Sequence, residues 1–500
     1  MDKNDLKNIV SRLILIDIDN KDFVFKYPFA GYILFYKDLK DLSFNQIQEL
    51  NNYYKNIYNK KFGINLIRSI DQEGGVVFRF DFEDYPAICS QWVIDNEEDS
   101  FKLAYFNGLI LRMACFNLNF SPVLDVNSNL DNPIIGVRSF SNDYSKVLKL
   151  SKAFIKGYKS VGIINCGKHF PGHGSVSIDS HLSLPETNLD FNELNVFLVN
   201  LDNLDSIMTA HIVYKDIDNF PATLSKKILD LIYQKNYQGI IFSDALNMLA
   251  LKNFDFKDVL INSLVAGVDI LLVLGKDEIK EEAIDIISDY AIKNESFFKI
   301  ILNKYNKVNT FINSINEFWD QNFYNYYLDL KKWFDNEFNF NINIEGSLDK
   351  FKFYFYNDSV NFIFGNSYLN EIGIVEKIKN FINKKNIYYI DMNNFDINLT
   401  KNYLDFINDN VNLFYVPIYK DNNFVEFVNM IRNKGIKNIN LITFANPFFN
   451  DLKVDFKIDL YGFSNIHLKI LKKIIEKPLS KTSYLYKRIQ RAEGKQFKSP

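Results

Sequence analysis

Between Gly167 and Pro185 the chain reads G-K-H-F-P-G-H-G-S-V-S-I-D-S-H-L-S-L-P. This stretch gathers His169, His173 and His181, three of the five histidines, beside Lys168 and Asp179. Side chains of these types can move protons at neutral pH. An unperturbed imidazole titrates near ~6.5, so His181 can act as acid and then as base. Asp179, two residues earlier, can accept a hydrogen bond from the other ring nitrogen and so fix the tautomer. Farther along, F-S-D ends an apolar run and presents Asp244. A carboxylate there can attack an acetal carbon, and cleavage of a glycosidic bond needs one carboxylate and one proton donor. Taken alone, D-S-H fits a loop cap at least as well; its surroundings tip the balance toward chemistry.

A metal site is the competing reading, since His169, His173, Asp179 and His181 all carry ligand-type side chains. Against it, Pro171 and Gly172 break any helix that could set the first two at ligand spacing. The other candidates are grips for a polar ligand. Asp71 can accept from hydroxyls, and Arg79, Arg138 and Lys168 can donate to hydroxyls or carboxylates. Each alone reads as a structural ion pair, whereas a converging set suits a small polyhydroxylated molecule. His173 and His211 read as supporting or packing histidines, and His467 as incidental.

These residues need elements to hold them. Eight apolar runs recur along the first half, at residues 11–18, 31–35, 64–71, 118–126, 161–170, 206–212, 239–244 and 268–274. Amphipathic stretches separate several of them, at 44–55, 102–116, 145–159 and 226–234. Near-continuous apolar strands each followed by a helix indicate a parallel sheet covered on its outer face. Eight such units predict a (β/α)8 TIM-type barrel, whose active site is built at the C-terminal ends of its strands. Five of the eight runs end, or are soon followed, by polar and charged residues: Asp71, the S-P-V-L-D-V stretch that leads on to Arg138, Lys168-His169, His211 and Asp244.

A catalytic barrel is therefore expected over residues 1–340, with a boundary at Gly346-Ser347. Apolar runs at 351–356, 387–390, 411–418 and 439–444, with helical stretches at 370–384 and 424–434, predict a smaller α/β domain with a parallel sheet over 346–478. The basic stretch 479–500 reads as a flexible tail.

Composition narrows the class. With 47% hydrophobic and 24% charged residues the chain reads as globular, and five hundred residues are too many for a single core. A formal net charge of -3 leaves no basic footprint for nucleic acid. Cys89, Cys115 and Cys166 form no C-x-x-C pair, so they read as reduced, buried thiols. The N-terminus lacks the apolar core of a signal peptide, and no run reaches the ~18 apolar residues of a membrane span. The expected compartment is the cytoplasm.

In order along the chain stand I-D-Q-E-G-G (residues 70–75), S-P-V-L-D-V (121–126), G-V-R-S-F (136–140) and K-H-F-P-G-H-G with D-S-H (168–181). M-T-A-H (208–211), P-A-T-L-S (221–225) and F-S-D-A-L-N-M (242–248) follow. Over residues 10–275 this series closely resembles the β-N-acetylglucosaminidases of glycoside hydrolase family 3. The resemblance implies a retaining exo-hydrolase that releases terminal β-linked N-acetylglucosamine, typically from peptidoglycan fragments, with no metal or organic cofactor. Its partner would be a small carbohydrate, an N-acetylglucosamine-containing oligosaccharide or muropeptide. Position by position, Asp244 would be the nucleophile, His181 the acid/base and Asp179 its partner. Asp71, Arg79, Arg138, Lys168 and His169 would hold the sugar. The chain departs from the family pattern at Val76, where Arg is usual, and at Ser175, where Asp is common. A phosphorylase, in which phosphate replaces water, and an inactive sugar-binding module are the alternatives.

Overall fold

The computed structural model describes residues 2–177, 184–315, 320, 322–336, 343–346, 360–365, 376, 378–379, 387–391, 410–416, 422–436, 438–444, 452, 454, 456–462, 467–469 and 471–472. Two compact units emerge. One comprises Met1–Glu73, Val77–Tyr85 and Ile94–Asn339, and the other Gly74–Val76, Pro86–Val93 and Phe340–Pro500.

The first unit is a closed barrel of eight parallel strands. In chain order they are β1 (Ile14–Asp17), β2 (Gly31–Leu34), β3 (Ile67–Ile70) and β4 (Leu118–Asn119). They continue as β5 (Ile164–Phe170), β6 (Ser206–Thr209), β7 (Ile240–Ala245) and β8 (Ile270–Val273). Each pairs with its neighbours in sequence, and β8 closes on β1. Strands buried on both faces have no use for alternation, which is why the runs read as continuous apolar segments. The fourth run is the exception. Only Leu118–Asn119 joins the ladder proper, and Val123 adds a single bridge to Lys168, so residues 120–126 line the barrel mouth as an extended segment.

The surrounding helices begin where local chemistry lets them. Asn96 accepts the Asp99 amide and starts the helix Glu97–Met113, five residues ahead of the stretch at 102–116 read from periodicity. Ser43 and Gln46 form a capping box at the head of Phe44–Phe62, and that helix runs on to Gly63 in the left-handed conformation, past the expected end at 55. Glu97–Met113 packs against Tyr144–Ser160 through Gly157, where a Cβ would come within 2.5 Å of the Phe101 carbonyl oxygen. Any side chain there would push the two helices apart.

The second unit contains a six-stranded sheet. Its strands are β9 (Asn343–Gly346), β10 (Val360–Gly365), β11 (Ile387–Asp391), β12 (Asn410–Tyr415), β13 (Asn438–Thr443) and β14 (Phe456–Asp459). Their spatial order is β9-β14-β13-β12-β10-β11, parallel throughout except for the edge pair β9–β14, which is antiparallel. The smaller α/β domain with a parallel sheet is thus present, with one antiparallel strand added at its edge. The expected strand at 351–356, most of the helix at 370–384 and the tail at 479–500 lie outside the described residues. Asn361, Asn412 and Asn440 stand in register on three adjacent strands. Their side-chain amides donate in series, Asn412 to Asn361 at 3.0 Å and Asn440 to Asn412 at 2.9 Å. A one-residue slip would strand these buried amides without partners, so the ladder fixes the register.

Candidate active site

The C-terminal ends of the barrel strands carry a buried lattice of charge. Asp71, just past β3, receives Lys168 Nζ at 2.8 Å and Arg79 at 3.1 Å. Lys168, on β5, also meets Glu73 at 2.6 Å. Arg138 closes the lattice with two parallel contacts to the Glu73 carboxylate, both at 2.9 Å. Three cations thus alternate with two carboxylates. Burial resists ionisation of Asp71, yet Lys168 and Arg79 outweigh it and hold the carboxyl below its usual range. Burial opposes Glu73 as well, but Arg138 and Lys168 press its carboxyl far down. Lys168, in spite of its burial, is held charged by Asp71 and Glu73.

His169 stands next to this lattice on a separate support. Its Nδ1 lies 2.7 Å from an oxygen of Asp125, and the other Asp125 oxygen accepts the backbone N–H groups of His169 and His173. Burial raises the cost of charging Asp125, but His169 draws its carboxyl below the ordinary value. An ionised carboxylate only accepts, so Nδ1 is the protonated nitrogen of His169. His173 lies deeper. Burial, reinforced by His169, pushes its imidazole down to about 4, which keeps it neutral and makes it a packing group rather than an acid/base.

Asp244 sits on β7 and is partly buried. Opposite it the β7–β8 register slips: Phe242 pairs with Ile270 but Ala245 pairs with Leu272, so one extra residue is accommodated at Ser243-Asp244. β5 carries a matching irregularity between Lys168 and Phe170, at His169. Bulges of this kind re-aim side chains next to active sites. On β5 itself the Cys166 thiol, pushed up to about 12 by burial, lies within the electrostatic reach of Lys168, Asp71 and Asp244. These groups therefore share one end of the barrel. Asp179 and His181 lie outside the described residues.

Glu73, Asp125 and Glu193 escaped the sequence reading. Three cations facing Asp71 alone would have been a signal that a second carboxylate was needed, and Glu73 follows two residues later. Glu193, on the helix Phe191–Asn200, accepts the amides of Val126 at 3.0 Å and Gly174 at 2.6 Å. With Asn132, which donates to the His173 carbonyl at 2.7 Å, it clamps the segment that follows β5. Gly174 is required there because a Cβ would lie 1.6 Å from the Val126 carbonyl oxygen. Burial, and then the Asp125 carboxylate, raise the Glu193 carboxyl well above its normal range. The folded state therefore holds a proton that the unfolded chain releases above pH ~4.3, and stability falls as pH rises from there toward the folded value. Glu193→Gln should remove that dependence. We expect its melting temperature to match or exceed that of the parent at pH 8, with the gap shrinking toward pH 5. A variant that melts lower at pH 8 than at pH 5, relative to the parent, would sink the assignment.

Asp277-Glu278, an adjacent acidic pair, serves structure instead. Asp277 meets Lys280 at 3.1 Å, and the buried Lys280 also reaches Asp17 at 3.1 Å, tying the helix Asp277–Lys293 that follows β8 to the end of β1. Among the described residues no three His, Cys, Asp or Glu side chains are grouped as a metal would need, and no helix is long and apolar enough to cross a membrane.

A parallel eight-stranded barrel with acids, a lysine and a histidine converging at its strand ends is the architecture of a barrel hydrolase acting on a polar substrate. The profile of the glycosyl hydrolase family 3 N-terminal domain matches residues 6–300, and the chain belongs to that family. It is 36% identical over 257 residues to a β-hexosaminidase of Idiomarina loihiensis, covering 49% of this chain and 76% of that protein. It is 34% identical over 281 residues to β-hexosaminidase A of Pseudoalteromonas piscicida, covering 50% of this chain and 47%, about half, of that longer relative. A family 3 β-N-acetylglucosaminidase from Paenibacillus sp. superposes with a TM-score of 0.73 at 20% identity, over 94% of this chain and 96% of the other, which bears on the fold of both units.

Proposed function

We propose that this protein is a retaining exo-β-N-acetylglucosaminidase, with Asp244 as nucleophile, His181 as acid/base and Asp179 as the partner of His181. That it is a glycoside hydrolase of the β-N-acetylhexosaminidase type follows from the family match and from relatives that carry that name. The observation that carries the site assignment is the bulge on β7. It sets a partly buried carboxylate at the same end of the barrel as the Asp71–Lys168–Glu73–Arg138 lattice. In the first step an Asp244 oxygen bonds to the anomeric carbon as the bond to the leaving oxygen breaks, and His181 gives that oxygen its proton. In the second step His181 takes a proton from water, whose oxygen displaces Asp244 and frees the sugar. Asp71 would accept from sugar hydroxyls, with Lys168, Arg79, Arg138 and His169 donating around it. The substrate we favour is a soluble peptidoglycan fragment met in the cytoplasm.

Hydrolysis of aryl β-N-acetylglucosaminides, with and without phosphate, tests the reading. A good aryl leaving group departs with little help from an acid. His181→Ala should therefore keep a burst of chromophore and then stall, because the second half still needs a base. With a poor alkyl leaving group the same variant should lose both phases. Equal losses for both leaving groups would remove His181 from the acid/base role. Faster turnover with phosphate would make the enzyme a phosphorylase, and a wild type inert on every β-N-acetylglucosaminide would overturn the reading.

A further inference from the structure

Two motifs, M-T-A-H at 208–211 and P-A-T-L-S at 221–225, take no part in the chemistry above, yet the fold brings them together beside Asp244. We propose that His211 is a positioning residue: oriented by Thr223, it holds the Ala245 carbonyl and, with the Ser243 hydroxyl, pins the bulge that aims the Asp244 carboxylate. This rests on Asp244 being the nucleophile.

The bulge places Ser243 and Asp244 opposite the single residue Leu271. An extra residue leaves backbone groups without ladder partners, and side chains supply them here. On the incoming side the Leu272 N–H donates to Ser243 Oγ at 2.9 Å. On the outgoing side the Ala245 N–H turns back to Asp244 Oδ1 at 2.7 Å, and the Ala245 carbonyl lies 3.0 Å from His211 Nε2. A carbonyl can only accept, so Nε2 carries the hydrogen. The other ring nitrogen, Nδ1, lies 2.8 Å from Thr223 Oγ1. That hydroxyl gives its one hydrogen to Nδ1, the acceptor of an imidazole that carries its hydrogen on Nε2, with the Ala210 carbonyl at 3.1 Å as the competing acceptor, and it accepts in turn from Thr209 Oγ1 at 2.8 Å. Thr209, His211 and Thr223 are all buried. The imidazole is thus fixed at both nitrogens, and its outward N–H grips the peptide that follows Asp244.

A bulge released at one side can shift its extra residue along the strand. A displacement of about 1 Å at a reacting group costs up to ~100-fold in rate. His211→Gln sets an amide nitrogen near the place of Nε2 and can still reach Ala245; His211→Asn sets one near Nδ1 and cannot. Thr223→Ser keeps the orienting hydroxyl and Thr223→Val removes it at nearly constant volume. The readouts are kcat, KM and melting temperature on an aryl β-N-acetylglucosaminide. Asn and Val should lower kcat by about tenfold to a hundredfold with KM nearly unchanged, and Gln and Ser should restore most of it. Wild-type kcat in His211→Asn, equal losses in Gln and Asn, or an effect confined to KM would overturn the proposal. If His211→Asn does not fold, the Val/Ser pair at 223 decides on the same criteria. An inert wild type or a fully active Asp244→Ala would overturn the nucleophile assignment itself. Full activity in the His211 and Thr223 variants beside a dead Asp244→Ala would overturn only the positioning role.

Discussion

Asp244→Ala is expected to lower kcat on an aryl β-N-acetylglucosaminide by at least about a thousandfold and to abolish the burst. The expectation follows from where β7 puts the residue. Its backbone is the bulged part of a barrel strand, and one carboxylate oxygen is already satisfied by the Ala245 amide. That contact orients the carboxylate without neutralising it, as a nucleophile requires. The substitution removes a partly buried side chain at the barrel mouth rather than in the core, so the fold should survive it. Rapid-quench kinetics with parallel thermal melts separate the outcomes. Loss of activity at an unchanged melting temperature supports the nucleophile. Retention of more than about a tenth of the parent rate would assign the chemistry elsewhere. Asp244→Asn is a sharper comparison, since it keeps the Oδ1 contact and deletes only the charge.

The barrel was legible because strands buried on both faces must be apolar along their whole length, and because polar residues then collect where each strand stops. Asp71, Lys168, His169 and Asp244 all stand at such ends. What was not legible depends on neighbours distant in sequence. Asp125 reads as the tail of an apolar run, and only the placement of β5 beside it reveals that it holds His169. Glu193 lies in F-N-E-L-N-V-F, where nothing local separates it from a solvated helix glutamate. It becomes an anchor because the Gly172–Gly174 backbone leaves room for its carboxyl. In the second unit, Asn361, Asn412 and Asn440 carry a residue type that usually marks loops. Their cross-strand amide ladder depends on which strands are adjacent, and the order β13-β12-β10 is a tertiary fact.

The other large effect should come from Arg138→Met. Arg138 and Glu73 are both deeply buried, with side-chain exposures of 10% and 3%. Removing one partner of a buried ion pair leaves the other charged and under-compensated, which costs about 3–5 kcal/mol. Lys168 remains within 2.6 Å of Glu73, and loses the repulsion of Arg138, so the lower end of that range is the better expectation. The melting temperature should fall on the order of 10 °C at pH 7. The pH dependence identifies the cause. In the parent the Glu73 carboxyl is held below its unfolded value of ~4.3, so its contribution is complete above that pH and is lost as pH falls through the folded value. Without Arg138 the carboxyl rises and can take up a proton more readily. The penalty should therefore be largest near neutrality and shrink toward pH 4, as the variant's Glu73 becomes neutral while the parent's is still charged. Arg138→Lys restores the charge but not the two parallel contacts, and should fall between the two. Melting curves across pH 4–8 decide the matter: a penalty that stays constant with pH would mean that Arg138 acts through packing, and that the charge lattice is not what holds Asp71 and Lys168 in place.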